Sequence, residues 1–60
     1  MESEAYEMVK TMEKLLEEDD ADKAWCLEKE FANIFNRQLP DSPERIAMAR
    51  VWEKMMWRWS

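Results

Sequence analysis

Cysteine and histidine, two residue types that often act as nucleophile and base, are almost absent from this chain. Cys26 is the single cysteine, and the 60 residues include no histidine. A cysteine nucleophile needs a base or a cation that stabilises its thiolate, and histidine is the usual base, so we expect no catalytic thiol. Helical periodicity places Cys26 beside Lys29 and Glu30 on a polar side, which predicts an exposed thiol. With one cysteine and no histidine, an intrachain disulfide and the common zinc ligand sets are both excluded.

An acidic run, E-E-D-D-A-D at residues 17–22, is the one candidate for a metal site. An EF-hand loop that began at Asp20 would need an oxygen ligand at position 5 and glycine at position 6, where the chain has Ala24 and Trp25. The pattern therefore fails, and Asp19 or Asp20 is expected to cap a helix instead. No nucleotide, metal or catalytic motif occurs elsewhere, so we expect no cofactor and no enzymatic activity.

Residues 43–59, P-E-R-I-A-M-A-R-V-W-E-K-M-M-W-R-W, are suited to binding rather than to catalysis. Three cations recur there at every fourth position, and a tryptophan with an isoleucine and a glutamate lies beside them. Tryptophan, methionine and arginine are enriched together where proteins bind one another. We predict a partner-binding surface made of helix three and one edge of helix two, comprising Trp57, Trp25, Ile46, Arg50, Glu53, Lys54 and Arg58.

Three helices are predicted to position these residues, at about 4–18, 21–38 and 43–58. The chain has no glycine, and 38% of its residues are charged, as is typical of helical proteins. Ser3 is expected to cap the first helix and Ser42-Pro43 to open the third. The apolar stripe turns by roughly 100° between the first two helices, which predicts a break near Asp19 and Asp20. The short L-P-D-S-P connection predicts that helices two and three form a hairpin.

The predicted fold is all-α, with residues 1–60 as a single domain: a small three-helix bundle, or a helical hairpin plus a third helix. A domain this small has a stability of roughly 3–5 kcal/mol, so we expect it to be completed by self-association or by a partner. Glu28 falls within the apolar arc of helix two, where an unpaired carboxylate would be costly. We therefore expect it to form an ion pair with a lysine or arginine of a neighbouring helix, or to provide a charge that a partner binds. The predicted core is Met8, Met12, Leu15, Leu16, Leu27, Phe31, Ile34, Phe35, Met48, Trp52, Met55 and Trp59.

Charge distribution bears on the class of partner. Residues 1–30 hold eleven acids and four bases, whereas residues 31–60 hold three acids and five bases. A protein-interaction module, either a homodimer or a small regulator of another protein, is the favoured prediction. A nucleic-acid binder that uses the basic face of helix three, or an interfacial membrane helix, is the alternative. The net charge of −5 disfavours nucleic acid, and the apolar seam of helix three is already needed for the core, which disfavours an interfacial membrane helix. No apolar run is long enough to span a bilayer, and the lone cysteine fits the cytoplasm or the nucleus.

Overall fold

Every regular element among residues 3–59, the part of the chain that this computed structural model describes, is an α-helix. In chain order the helices are α1 (Glu4–Glu18), α2 (Ala21–Cys26), α3 (Glu28–Arg37) and α4 (Pro43–Trp59). The prediction of an all-α chain is confirmed, but four helices replace the three that were predicted. The radius of gyration is 10.8 Å, close to the value of about 10 Å for a compact domain of this length.

The predicted break between the first two helices lies at Asp19 and Asp20. Asp19 has a left-handed backbone, with φ 57° and ψ 38°. Its N–H donates to the Leu16 carbonyl at 3.2 Å, and the Asp20 N–H donates to the Leu15 carbonyl at 2.9 Å. This pair of bonds forms a Schellman motif, in which glycine usually takes the left-handed position and aspartate is one of the better substitutes. The Asp20 carboxylate then caps α2 by accepting the Lys23 N–H at 3.2 Å.

The single helix predicted for residues 21–38 is wrong, because Leu27 divides it into α2 and α3. Leu27 has φ −89° and ψ −3°, and its N–H donates to the carbonyls three and four residues earlier, which tightens the last turn of α2. In a straight helix, positions 25 and 31 would point about 120° apart. The bend lets Trp25 and Phe31 both contact the Trp52 ring, at centroid distances of 5.7 and 5.5 Å. Tertiary packing therefore accounts for the division.

Ser42 opens α4, as the sequence predicts. Its hydroxyl accepts the Arg45 N–H at 3.2 Å and donates to the Leu39 carbonyl at 2.8 Å. Pro43 occupies the first helical position, where a backbone N–H would have no partner within the helix. The missing N–H of proline therefore costs no hydrogen bond. The Arg45 guanidinium reaches back to the Gln38 carbonyl at 3.2 Å. These bonds fix the turn between α3 and α4.

The helices α3 and α4 run in opposite directions and touch through aromatic and arginine side chains. Near the turn, the Arg45 guanidinium lies 4.2 Å from the centre of the Phe35 ring. Further from the turn, Trp52 stacks on Phe31 at 5.5 Å, and Trp25 of α2 lies 6.3 Å from Trp59 near the end of α4. Residues later in α4 therefore contact residues earlier in α3 and α2.

The first helix packs against each of the other three and makes its most extensive contact with α4. The two helices are parallel, because Asp19 at the end of α1 bonds to Arg58 and Trp59 at the end of α4. By contrast α1 is antiparallel to α3, since Glu4 at its start pairs with Arg37 at the end of α3. The parallel arrangement of α1 and α4 determines which side chains share their common outer surface.

Most of the predicted core is confirmed. Seven of its residues are buried: Met8, Met12, Leu15, Phe31, Ile34, Met48 and Met55. The other five are partly buried against that cluster: Leu16, Leu27, Phe35, Trp52 and Trp59. Three further residues are buried that were not predicted as core: Ala5, Ala24 and Val51. Val51 is buried because α4 turns its 48, 51 and 55 positions towards the core, which leaves Trp52 at the boundary with α3.

Candidate binding surface

A groove lies between the C-terminal halves of α1 and α4. Its lining residues are Leu16, Arg50, Glu53, Lys54, Trp57 and Arg58. Five of these six are among the seven residues that the sequence predicts to bind a partner. The sixth, Leu16, belongs to α1 and was predicted as a core residue; it is partly buried, so its side chain serves both the core and the groove.

A second groove continues the first towards the start of α4. Its lining residues are Val9, Glu13, Asp41, Pro43, Ile46, Ala47, Arg50, Val51 and Lys54. Arg50 and Lys54 belong to both grooves, so the two form one continuous surface, which we call the α1–α4 face. Ile46, another residue predicted to bind a partner, is 47% exposed on this face. Six of the seven predicted residues thus lie together.

Trp57 is the most exposed large apolar side chain of the α1–α4 face, with 82% of its surface accessible. Its position follows from the rotation of α4, which buries Met55 completely. Two residues further on, a helical side chain points about 200° away. Trp57 therefore has no place in the core, and it stands at the groove between α1 and α4 instead.

The charged side chains of the α1–α4 face balance one another. Three are cations and three are carboxylates: Arg50, Lys54, Arg58, Glu13, Asp41 and Glu53. The face therefore has no net formal charge, and the −5 of the whole chain lies on its other residues. Among residues 3–59, neither Arg50 nor Lys54 forms an ion pair, so both cations are open to an external carboxylate.

Arg58 differs from the other two cations because the end of α1 holds it in place. The Asp19 carboxylate accepts hydrogen bonds from Trp59 Nε1 at 2.9 Å and from Arg58 Nε at 3.3 Å. The hydrogen bond from Trp59, together with the charge of Arg58, lowers the pKa of the Asp19 carboxyl below its ordinary value. This network joins the ends of α1 and α4 and fixes one end of the groove.

Trp25 lies away from the α1–α4 face. Its ring makes edge contacts with Trp52 and Trp59 at centroid distances of 5.7 and 6.3 Å. Trp59 points about 200° round α4 from Trp57, so the structure places Trp25 and Trp57 on opposite sides of that helix. Trp25 is 37% exposed and belongs to an aromatic cluster between α2 and α4. Both tryptophans fall outside the main apolar stripes of the sequence, which predicts that they share one surface, and this prediction is wrong for Trp25.

A smaller groove lies between α3 and α4. Its lining residues are Glu28, Phe31, Ala32, Phe35, Ala49 and Trp52. The ion pair expected for Glu28 with a neighbouring helix is not formed within residues 3–59. Glu28 is partly exposed at this groove, so water solvates its carboxylate and no ion pair is needed to offset burial.

Within residues 3–59, no group of three or more His, Cys, Asp or Glu side chains is placed to hold a metal ion. Cys26 is a free and exposed thiol, as the sequence predicts. No helix in this described range combines the length and the apolar character needed to cross a bilayer.

Comparison with known proteins found no match for the chain among protein-family models, curated proteins or solved structures.

Proposed function

We propose that this chain is a non-enzymatic protein-binding module, an accessory or regulatory protein that acts through its α1–α4 face. The observation that supports the proposal is the exposure of Trp57 in a groove whose other lining residues include Arg50, Lys54 and Arg58. An exposed indole beside arginine side chains has the composition of an interface hot spot. The small size of the domain favours association further.

The exposed area of Trp57 sets the scale of the binding energy. A tryptophan side chain offers about 150–250 Å² of surface for burial. With 82% of that surface accessible and a gain of about 25 cal/mol per Å², full coverage is worth about 3–5 kcal/mol before the costs of association. One residue of this kind can contribute a large part of the binding free energy of a complex.

Nucleic acid is a weaker candidate for the partner. Phosphate binding needs a surface that is positive overall, because the release of counterions supplies most of the affinity. On the α1–α4 face, Glu13, Asp41 and Glu53 equal the three cations in number and cancel their formal charge. The same three carboxylates disfavour an anionic membrane surface. We place the module in the cytoplasm, where a single unpaired cysteine such as Cys26 is common.

Affinity capture with matched variants tests the proposal. Wild-type protein, Trp57→Ala and Leu39→Ala are immobilised, and proteins retained from an extract of the native source are identified and then purified. Leu39 is the control because it is 75% exposed and apolar but lies outside the grooves of the α1–α4 face. We expect Trp57→Ala to weaken binding of the purified partner by about 2 kcal/mol or more. Leu39→Ala is expected to bind like the wild type.

Two further measurements examine the alternatives. Duplex and single-stranded DNA are titrated at low salt, and vesicles with anionic lipid are tested for co-sedimentation. We expect neither to bind. Affinity for DNA that falls steeply with rising salt concentration would favour the nucleic-acid hypothesis. Vesicle binding that is lost in Trp57→Ala would favour the hypothesis of an interfacial membrane helix. If Trp57→Ala retains every partner that the wild type retains, the proposal is wrong.

A further inference from the structure

We propose that the partner of the α1–α4 face is a second copy of this chain, in a two-fold dimer whose helices α1 and α4 lie over α4 and α1 of the other copy. This inference rests on the proposed function and names its partner. A two-fold interface must be self-complementary, because the same surface occurs on both sides. The α1–α4 face meets this condition in its charges, in its apolar residues and in the register of its helices.

The charges are complementary between the two helices of the face. Arg50 and Lys54 on α4 have no ion pair within residues 3–59, and neither does Glu13 on α1. A partner surface that carried charges of only one sign would place like charges opposite some of these residues. A second copy offers both signs, and association through a face of zero net charge leaves the −5 of each chain on its other surfaces.

The register follows from the parallel arrangement of α1 and α4. Glu13 lines a groove with Lys54, and Leu16 lines a groove with Trp57. The members of each pair are 41 positions apart, and the 2.9 Å hydrogen bond from Trp59 to Asp19 joins the same two helices at residues 40 positions apart. Each pair therefore lies at about one height along the parallel helices. A two-fold axis parallel to the helices keeps this height and exchanges α1 with α4. Lys54 then faces Glu13 of the other copy, and Trp57 covers Leu16 of the other copy.

The available area is sufficient for such a dimer. The accessible surface of the chain is 4503 Å², so a standard interface of about 800 Å² per partner would cover less than a fifth of it. Helix α4 has 17 residues and is therefore about 25 Å long. Two helices of comparable length, packed side by side about 8–10 Å apart, provide a face of the required extent.

Sedimentation equilibrium from low to high micromolar concentration tests the dimer. The wild type is expected to approach twice its monomer mass of 7.3 kDa. Trp57→Ala is expected to raise the dissociation constant at least 30-fold, the equivalent of one hot-spot residue. The single variants Glu13→Lys and Lys54→Glu should each weaken the dimer at least tenfold, because each places two like-charge pairs across the axis.

Mixing the two single variants gives the decisive result. In a mixed dimer, position 13 of each chain faces a position 54 of opposite charge, so equimolar Glu13→Lys and Lys54→Glu should dimerise within about threefold of the wild type. An effect inside one chain would not be rescued by mixing. Glu30→Lys and Lys29→Glu are the matched controls, since both positions are exposed and lie outside the α1–α4 face.

Each outcome separates this inference from the proposed function. A wild type that stays monomeric, a dimer insensitive to Trp57→Ala, or single variants that mixing does not rescue would overturn the two-fold dimer. If the wild type is monomeric yet binds a different purified protein through Trp57, the second copy is ruled out and the binding module is retained. A monomer for which no Trp57-dependent partner is found would overturn both.

Discussion

Replacement of Phe31 with alanine is expected to unfold the isolated chain. Phe31 is 3% exposed, and its ring stacks on Trp52 at 5.5 Å and on Phe35 at 6.5 Å. It therefore links the middle of α3 to α4 and to the rest of the core. Both neighbouring rings are partly buried against the same core, so the replacement removes the side chain that they share as a packing partner.

The expected cost is comparable with the whole stability of the domain. Removal of a buried phenylalanine side chain costs about 3–5 kcal/mol, through lost transfer energy and the cavity left behind. That cost already includes the loss of the two ring contacts. A single core in a chain of this size supplies about 3–5 kcal/mol. Phe31→Ala should therefore leave a large fraction of the chains unfolded at 25 °C.

Urea titration followed by circular dichroism at 222 nm measures this effect. All variants are prepared in the Trp57→Ala background, so that association through the α1–α4 face does not add to the measured stability. Phe31→Leu is the matched control, since a large apolar side chain remains and the expected cost is below about 1.5 kcal/mol. If Phe31→Ala has the same urea midpoint as its background, the packing described for Phe31 is wrong.

Three further predictions concern single contacts. Val51→Ala should lower the free energy of unfolding by about 2 kcal/mol in urea titration, because Val51 is 2% exposed and two methyl groups are lost. Ser42→Ala should lower it by about 1 kcal/mol in the same assay, because the cap of α4 is removed. The folded-state pKa of Asp19 is lowered, so its carboxylate adds to the free energy of unfolding at pH values above the ordinary aspartate pKa of about 3.9. This stabilisation is lost as the pH falls through the folded-state pKa of Asp19. The melting temperatures of wild type and Asp19→Ala, measured by calorimetry, should therefore differ at pH 7 and converge at low pH.

Local sequence was sufficient to predict where most helices begin and end. Ser3, Asp20 and Ser42 each cap the helix that follows them, because a short polar side chain satisfies backbone N–H groups that a helix leaves free. The periodicity of apolar residues identified most of the core, since side chains three and four positions apart share one side of a helix. The same periodicity placed Trp57 outside the core, where it is found.

The division of the predicted second helix could not be read from local sequence. Leu27 is a good helix former, and no glycine or proline lies near it. Its N–H keeps hydrogen-bond partners in the preceding turn, so the bend gives up little within the segment itself. The gain comes from Trp25 and Phe31, which reach the same ring of α4 only because the helix bends.

The composition of the α1–α4 face was likewise decided by tertiary structure. Local sequence determined the all-α class, the caps, most of the core and the cation ladder of α4, because these depend on residues a few positions apart. It could not determine that Leu16 and Glu13 stand beside Trp57 and Lys54, or that Trp25 lies elsewhere. Those placements depend on the rotation and direction of helices far apart in the chain, which only the packing of the whole core fixes.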